Sequence, residues 1–176
     1  MTAVSVYMLV FRAVHILAGV AWAGSVFLFV TFVQPASAAI APAGAPFMGE
    51  LLGKRRLVDR LIAFGSVTVA GGLFLYWRDA DTYGGVADFA TTTFGTWVTI
   101  GAVSAIAALA IGAFGTRPRV LRLLALGRQA AEGGGSPTPA QAAEMGAMQG
   151  QLKVLARTSL GLIGLSVFAM ATARSW

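Results

Sequence analysis

His15 is the only histidine of the chain, and it stands with Arg12 in the stretch FRAVHILAGVAWAGSVFLFVTFVQP, residues 11–35. An imidazole can ligate a haem iron or a copper ion, or hydrogen-bond across a helix interface. A guanidinium can hold a carboxylate or a phosphate. Both groups are costly in hydrocarbon, so in so apolar a run they are expected to face protein or the membrane interface. Arg12, His15, Gly19, Trp22, Val26 and Phe29 recur at spacings of three and four, which places them on one helix face. That face should turn into a helix bundle, where Gly19 and Ala23 let a neighbour approach closely.

The donors available to a cofactor are few. With a single histidine, a bis-histidine haem cannot form within one chain. For haem b, His15 would be one axial ligand. The other would be Met170, at a comparable depth in the last apolar segment, or a partner chain, or none. For copper, Met8, His15 and Met170 are the soft ligands that one bundle end could gather. Trp22 and Arg12 complete the set expected around a cofactor. The alternative role for His15 is a neutral imidazole bonded to a hydroxyl or a backbone carbonyl, holding two helices in register. Trp22, Trp77, Trp97 and Trp176, with Tyr7, Tyr76 and Tyr83, fall mostly near predicted helix ends and read as interfacial belts rather than a cofactor box.

Composition decides what must position these residues. Of 176 residues, 57% are hydrophobic and 11% charged, against about 25% charged in a soluble domain. So little charge cannot cover a water-facing surface, and lipid must solvate much of the chain. Cysteine is absent, which excludes disulfides, thiolate catalysis and iron–sulfur ligation. The net charge of +6 is concentrated in loops, a pattern that reports orientation and lipid headgroups rather than nucleic acid.

Four apolar segments, about residues 4–33, 57–77, 94–114 and 154–173, each supply the ~20 residues needed to cross ~30 Å of hydrocarbon. Hydrocarbon offers the backbone no partners, so they must be helices. The fold class is therefore all-α: a single transmembrane domain over residues 1–176, built as a four-helix integral membrane bundle. The first segment reads as a retained span, because no positive charge precedes Arg12 and its apolar run exceeds a leader's ~7–15 residues. Ten of the thirteen basic residues lie in or beside the first and third loops, while Asp79, Asp81 and Asp88 mark the second. Both termini are then expected outside and two longer loops in the cytoplasm of a bacterial inner membrane.

Loop texture adds detail. PASAAIAPAGAP reads as irregular, and TYGGVADFATTT as a short outer connection. RVLRLLALGRQA separates leucines from arginines, as a helix end emerging into anionic headgroups would. Thr138, Pro139 and Gln141 fit an N-cap, a first-turn proline and an N3 partner. A helix is expected from Pro139 through residue 173. Gly71-Gly72, GAVSAIAALAIGAFG and GLIGLS are small-residue faces for helix packing. The last two spans carry no central lysine or carboxylate of the kind a proton relay or ion filter uses.

His15-x6-Trp22-x-Gly24, followed by FLFVTFVQP, resembles the membrane domain of urate-oxidising cytochrome proteins, whose first helix reads H-x3-G-x2-W-x-G and ends in F-V-Q. It is also similar to the copper-resistance D family and to the bundle-type membrane protoporphyrinogen oxidases. LLGKRRLVDRLIAFGSVTVAGGLFLYW resembles the basic approach and T-G-L-x-L-Y second helix of the same superfamily. The resemblance covers about the first 77 residues, and the remainder by topology only. It implies a haem or metal role for His15. The bundle-type oxidases add a lysine in a later helix, which no later span here carries at its centre. The copper family shows more methionine and histidine. The urate proteins have extra helices and a cytochrome c tail without counterpart in these residues. Taken together, the sequence favours a non-catalytic accessory or scaffold subunit, packed against other subunits of a respiratory or photosynthetic membrane complex or against its own copies. A haem- or copper-binding protein centred on His15 is the alternative, with an oxidoreductase acting on a porphyrin or quinone as its extension.

Overall fold

A computed structural model describes residues 6–175. The expected helix start at Val4 and the belt residue Trp176 lie outside the described residues. Among the described residues the fold is all-helical, with no strand. Four helices are long and apolar enough to cross a membrane: Val6–Ala39, Leu57–Asp81, Thr93–Glu132 and Pro139–Ser175. They are called spans 1 to 4 below.

Three of the four run well past the expected bounds. Span 3 has 40 residues, about 60 Å at 1.5 Å per residue, roughly twice the hydrocarbon thickness. Continuity through prolines makes this length attainable. Span 1 passes through a π segment, Phe29–Val33, directly before Pro35. Span 3 passes through another, Ile111–Thr116, directly before Pro118. Proline cannot donate the ordinary helical bond and crowds the preceding turn, and a wider π turn absorbs both effects without ending the helix. The stretch expected to be irregular therefore continues the first helix to Ala39 and then forms a second short one, Gly44–Gly49, extended by the π segment Glu50–Lys54. Arg56, in the left-handed region with φ 50°, breaks the chain before span 2.

The basic amphipathic segment, Arg117–Glu132, forms the end of span 3 and also finds a neighbour within the fold. Val120, Leu126 and Ala130 are buried, packed in a helical hairpin with the first half of span 4. Arg122 pairs with Glu144 at 2.8 Å, and Arg119 donates to Gln151 at 2.8 Å, across that hairpin. Span 4 begins as expected, with Thr138 and Gln141 reciprocally capping its first turn.

At the opposite end the outer connection is ordered. A short helix, Val86–Thr91, carries Phe89, which is completely buried among Tyr76, Tyr83 and Phe94. Gly84 and Gly85, at φ 90° and 135°, supply the turn that brings it there. Gly95 sits so close that a Cβ would collide with the Phe89 carbonyl oxygen.

Spans 1 and 2 pack along their length, as do spans 3 and 4, and spans 2 and 3 join the two pairs. Spans 1 and 4 touch along only a short stretch. The core lies at mid-bundle, where Trp22 and Val26 meet Ala105, Ala108 and Ile163. Gly65 makes this fit possible, since a Cβ there would lie 2.9 Å from the Trp22 ring.

Candidate functional site

His15 turns inward onto span 2. Its Nδ1 lies 2.7 Å from the Thr68 carbonyl oxygen. A carbonyl only accepts, so Nδ1 carries the proton and the lone pair of the neutral ring resides on Nε2. Two glycines create the slot. A Cβ on Gly72 would lie 2.8 Å from His15 Cε1, and one on Gly71 would lie 3.4 Å from His15 Cβ. The Thr68 hydroxyl donates to Phe64 O at 2.8 Å, and its methyl lies 3.4 Å from the Cβ position of Gly19. Thr68, Gly72 and Tyr76, four residues apart, thus share one face of span 2, with Thr68 and Gly72 against span 1.

Nε2 has no hydrogen-bond partner among the described residues, and no unpartnered side-chain nitrogen is sealed from access there. His15 lines a cavity of about 660 Å³. This volume falls within the ~300–1,000 Å³ range of small-molecule and cofactor sites. The walls are almost wholly apolar. Trp22, Ala105 and Ile163 belong to the core below, while Tyr76 and Met170 stand at the other end. The Tyr76 hydroxyl is 2.8 Å from Thr99 Oγ1. Thr99 donates its own proton to Gly95 O, so Tyr76 is the donor. Met170 fits over Gly101, where a Cβ would lie 2.8 Å from its Cγ.

The cavity opens sideways. Ile16 and Val20 of span 1 and Val167 of span 4 line it, yet are 57%, 67% and 55% exposed. Their outer surfaces belong to the apolar exterior, so the opening between spans 1 and 4 faces the medium that solvates the bundle's sides.

Toward the termini, a second chamber of about 340 Å³ shares His15, Gly72, Tyr76 and Met170 with the first. Its additional walls include Arg12, Asp79 and Arg174. Arg12 forms no ion pair with an aspartate of the second loop among the described residues. Arg78 pairs with Asp81 instead, at 3.4 Å, while Arg12 and Asp79 face the same chamber unpaired. Arg174 lies over the Phe94 ring, 5.5 Å from its centroid.

Of the residues anticipated from sequence, His15, Trp22 and Met170 line the large cavity, and Arg12 joins His15 and Met170 in the outer chamber. Met8 lines neither. No group of three or more histidine, cysteine, aspartate or glutamate side chains suited to a metal occurs among the described residues. Sequence reasoning missed Thr68, Arg174 and the inward role of Tyr76, which it had assigned to an interfacial belt. The four-residue repeat Thr68, Gly72, Tyr76 was the available signal. Comparison of the chain with family models, characterised proteins and solved structures gives no match.

Proposed function

We propose that this chain is a multi-pass membrane protein that binds a haem-type cofactor through His15. The observation that carries the reading is the imidazole held by its Nδ1 proton on Thr68 O, with Nε2 unpaired at a cavity of about 660 Å³. Metal-binding histidines characteristically donate their other ring N–H to a carbonyl or carboxylate, which fixes the tautomer and orients the ring. His15 would supply the axial nitrogen, Met170 is the second soft donor on the same cavity, and Trp22 closes its floor. A bound haem would supply reversible one-electron chemistry. The protein's own contribution is to hold the donor in one tautomer and keep an apolar surround. Copper receives less support, since Met8 stays off the cavity and only His15 and Met170 remain of the three expected soft ligands. Oxidation of a porphyrin or quinone would be an extension of the same site.

The basic ends are assigned to the cytoplasm and both termini to the outside of a bacterial inner membrane, on the strength of the loop charges. A second reading, the non-catalytic subunit of a larger complex, draws on one specific feature. The seam between spans 1 and 4 is left open by this chain alone, and another helix could cover it.

The test is the absorbance spectrum of the purified protein after haem addition, compared with His15→Ala. The expected result is a Soret band shifted from free haem in the parent and lost in the variant. An unshifted band in a folded parent protein would defeat the haem reading. Recovery of one monodisperse species from mild detergent, without other subunits, would count against the second.

A further inference from the structure

We infer that Arg12 and Arg174 form a clamp for the acidic group of the ligand whose apolar body fills the cavity. This deepens the haem reading by naming the ligand class: a membrane-borne amphiphile carrying one or more carboxylates at the end facing the termini. Three observations lead to it. The outer chamber holds two guanidiniums against the single carboxylate of Asp79, leaving a net positive wall. Neither Arg12 nor Arg174 has an ion-pair partner among the described residues; Arg60, Arg119, Arg128, Lys153 and Arg157 have none either, but of these unpaired cations only Arg12 and Arg174 line the chamber. The chamber also adjoins the apolar cavity, with His15, Tyr76 and Met170 lining both, so the proposed ligand would reach from one into the other past these side chains.

The chemistry follows from these positions. A carboxylate between two guanidiniums gains charge-assisted hydrogen bonds, which in a poorly solvated chamber are stronger than in water. An uncharged ligand would leave the net positive charge of that wall without compensation. The sideways opening past Ile16, Val20 and Val167 suits a body dissolved in the bilayer, since no polar barrier lies across it.

The experiment uses a metal-free dicarboxylic porphyrin and its dimethyl ester as probes, with the full chain in lipid nanodiscs. Binding is read from porphyrin emission and from quenching of tryptophan fluorescence, to which Trp22 at the cavity wall contributes. A metal-free probe forms no bond to His15 Nε2, so this result is separate from the haem titration. The parent protein is expected to bind the diacid at least about tenfold more tightly than the ester, the factor that one charge-assisted contact supplies. Arg12→Gln with Arg174→Gln should bring the two probes level, and the paired lysine variant should keep most of the preference. Equal binding of acid and ester by the parent, or binding of neither, overturns the clamp, and this comparison needs no variant to fold. A shifted Soret band that depends on His15, together with equal affinity for acid and ester, would retain the haem reading and remove the clamp.

Discussion

The two ends of the bundle use charge in different ways. At the basic end, Lys54, Arg55, Arg56, Arg117 and Arg122 are paired with carboxylates, while Arg60, Arg119, Arg128, Lys153 and Arg157 form no ion pair among the described residues. Asp59 accepts from Arg117 at 2.7 Å and from Arg56 at 2.8 Å, tying span 2 to span 3 and to the break before it. Lys54 and Arg55 converge on Glu50 and hold its carboxyl below the ordinary glutamate value. Arg122 and Glu144 join spans 3 and 4. At the termini end, Arg12 and Arg174 border a chamber with only Asp79 opposite them. Paired charges at one end brace helices that project beyond the hydrocarbon. Unpaired ones at the other end stand at the mouth of an apolar cavity.

This contrast can be broken first at its most rigid point. Phe89→Ala empties a fully buried ring site at the termini end, and a loss of about 3–5 kcal/mol is expected. Thermal unfolding in detergent measures it. A loss below about 1 kcal/mol would mean that the short outer helix does not brace the chamber.

Next comes the histidine slot. Gly72→Val places methyl groups where the imidazole lies, since even a Cβ would sit 2.8 Å from Cε1. Overpacking of this kind costs about 1–3 kcal/mol. Because the ring must leave Thr68 O, haem binding should fall far more than stability does. Unchanged haem affinity in a folded Gly72→Val protein would show that the slot does not position the donor.

At the basic end the expected effects are smaller. Asp59→Asn removes a doubly paired carboxylate that is about one-quarter exposed, so solvent screening limits the loss to about 1 kcal/mol or less. Ligand binding at the far chamber should not change, and a change would couple the two ends.

The smallest effect is expected at Glu50, whose side chain is 41% exposed. Its folded-state value is depressed, so whatever stability it adds is present above the ordinary carboxylate value and lost as pH falls through the lowered one. Glu50→Gln should leave the melting temperature nearly unchanged. An NMR titration of the side chain reads its midpoint directly, and a midpoint at or above the ordinary value would break the description of this cluster.

The residues themselves explain how much could be anticipated. Four apolar runs, the Thr138 capping box and the inward face of His15 and Trp22 are local or periodic features, and each is present in the structure. The continuation of two helices through Pro35 and Pro118 was not legible. It depends on π turns whose cost is met by packing beyond the immediate sequence. The amphipathic stretch after Pro118 was ambiguous for a related reason: a leucine face satisfies a lipid surface and a neighbouring helix equally well, and only the fold supplies the neighbour.

The chain alone therefore determined its solvent, its helical class and the single imidazole available as a ligand. These follow from composition and from the backbone's need for internal hydrogen bonds in hydrocarbon. Tertiary structure alone decided that Thr68 O would accept from that imidazole, that Tyr76 and Met170 would share its cavity, and that Arg12 and Arg174 would meet at one chamber. The physical reason is separation along the chain. Arg12 and Arg174 come from opposite ends of the sequence, and only the packing of span 1 on span 2, span 2 on span 3 and span 3 on span 4 closes the bundle and brings them to the same wall.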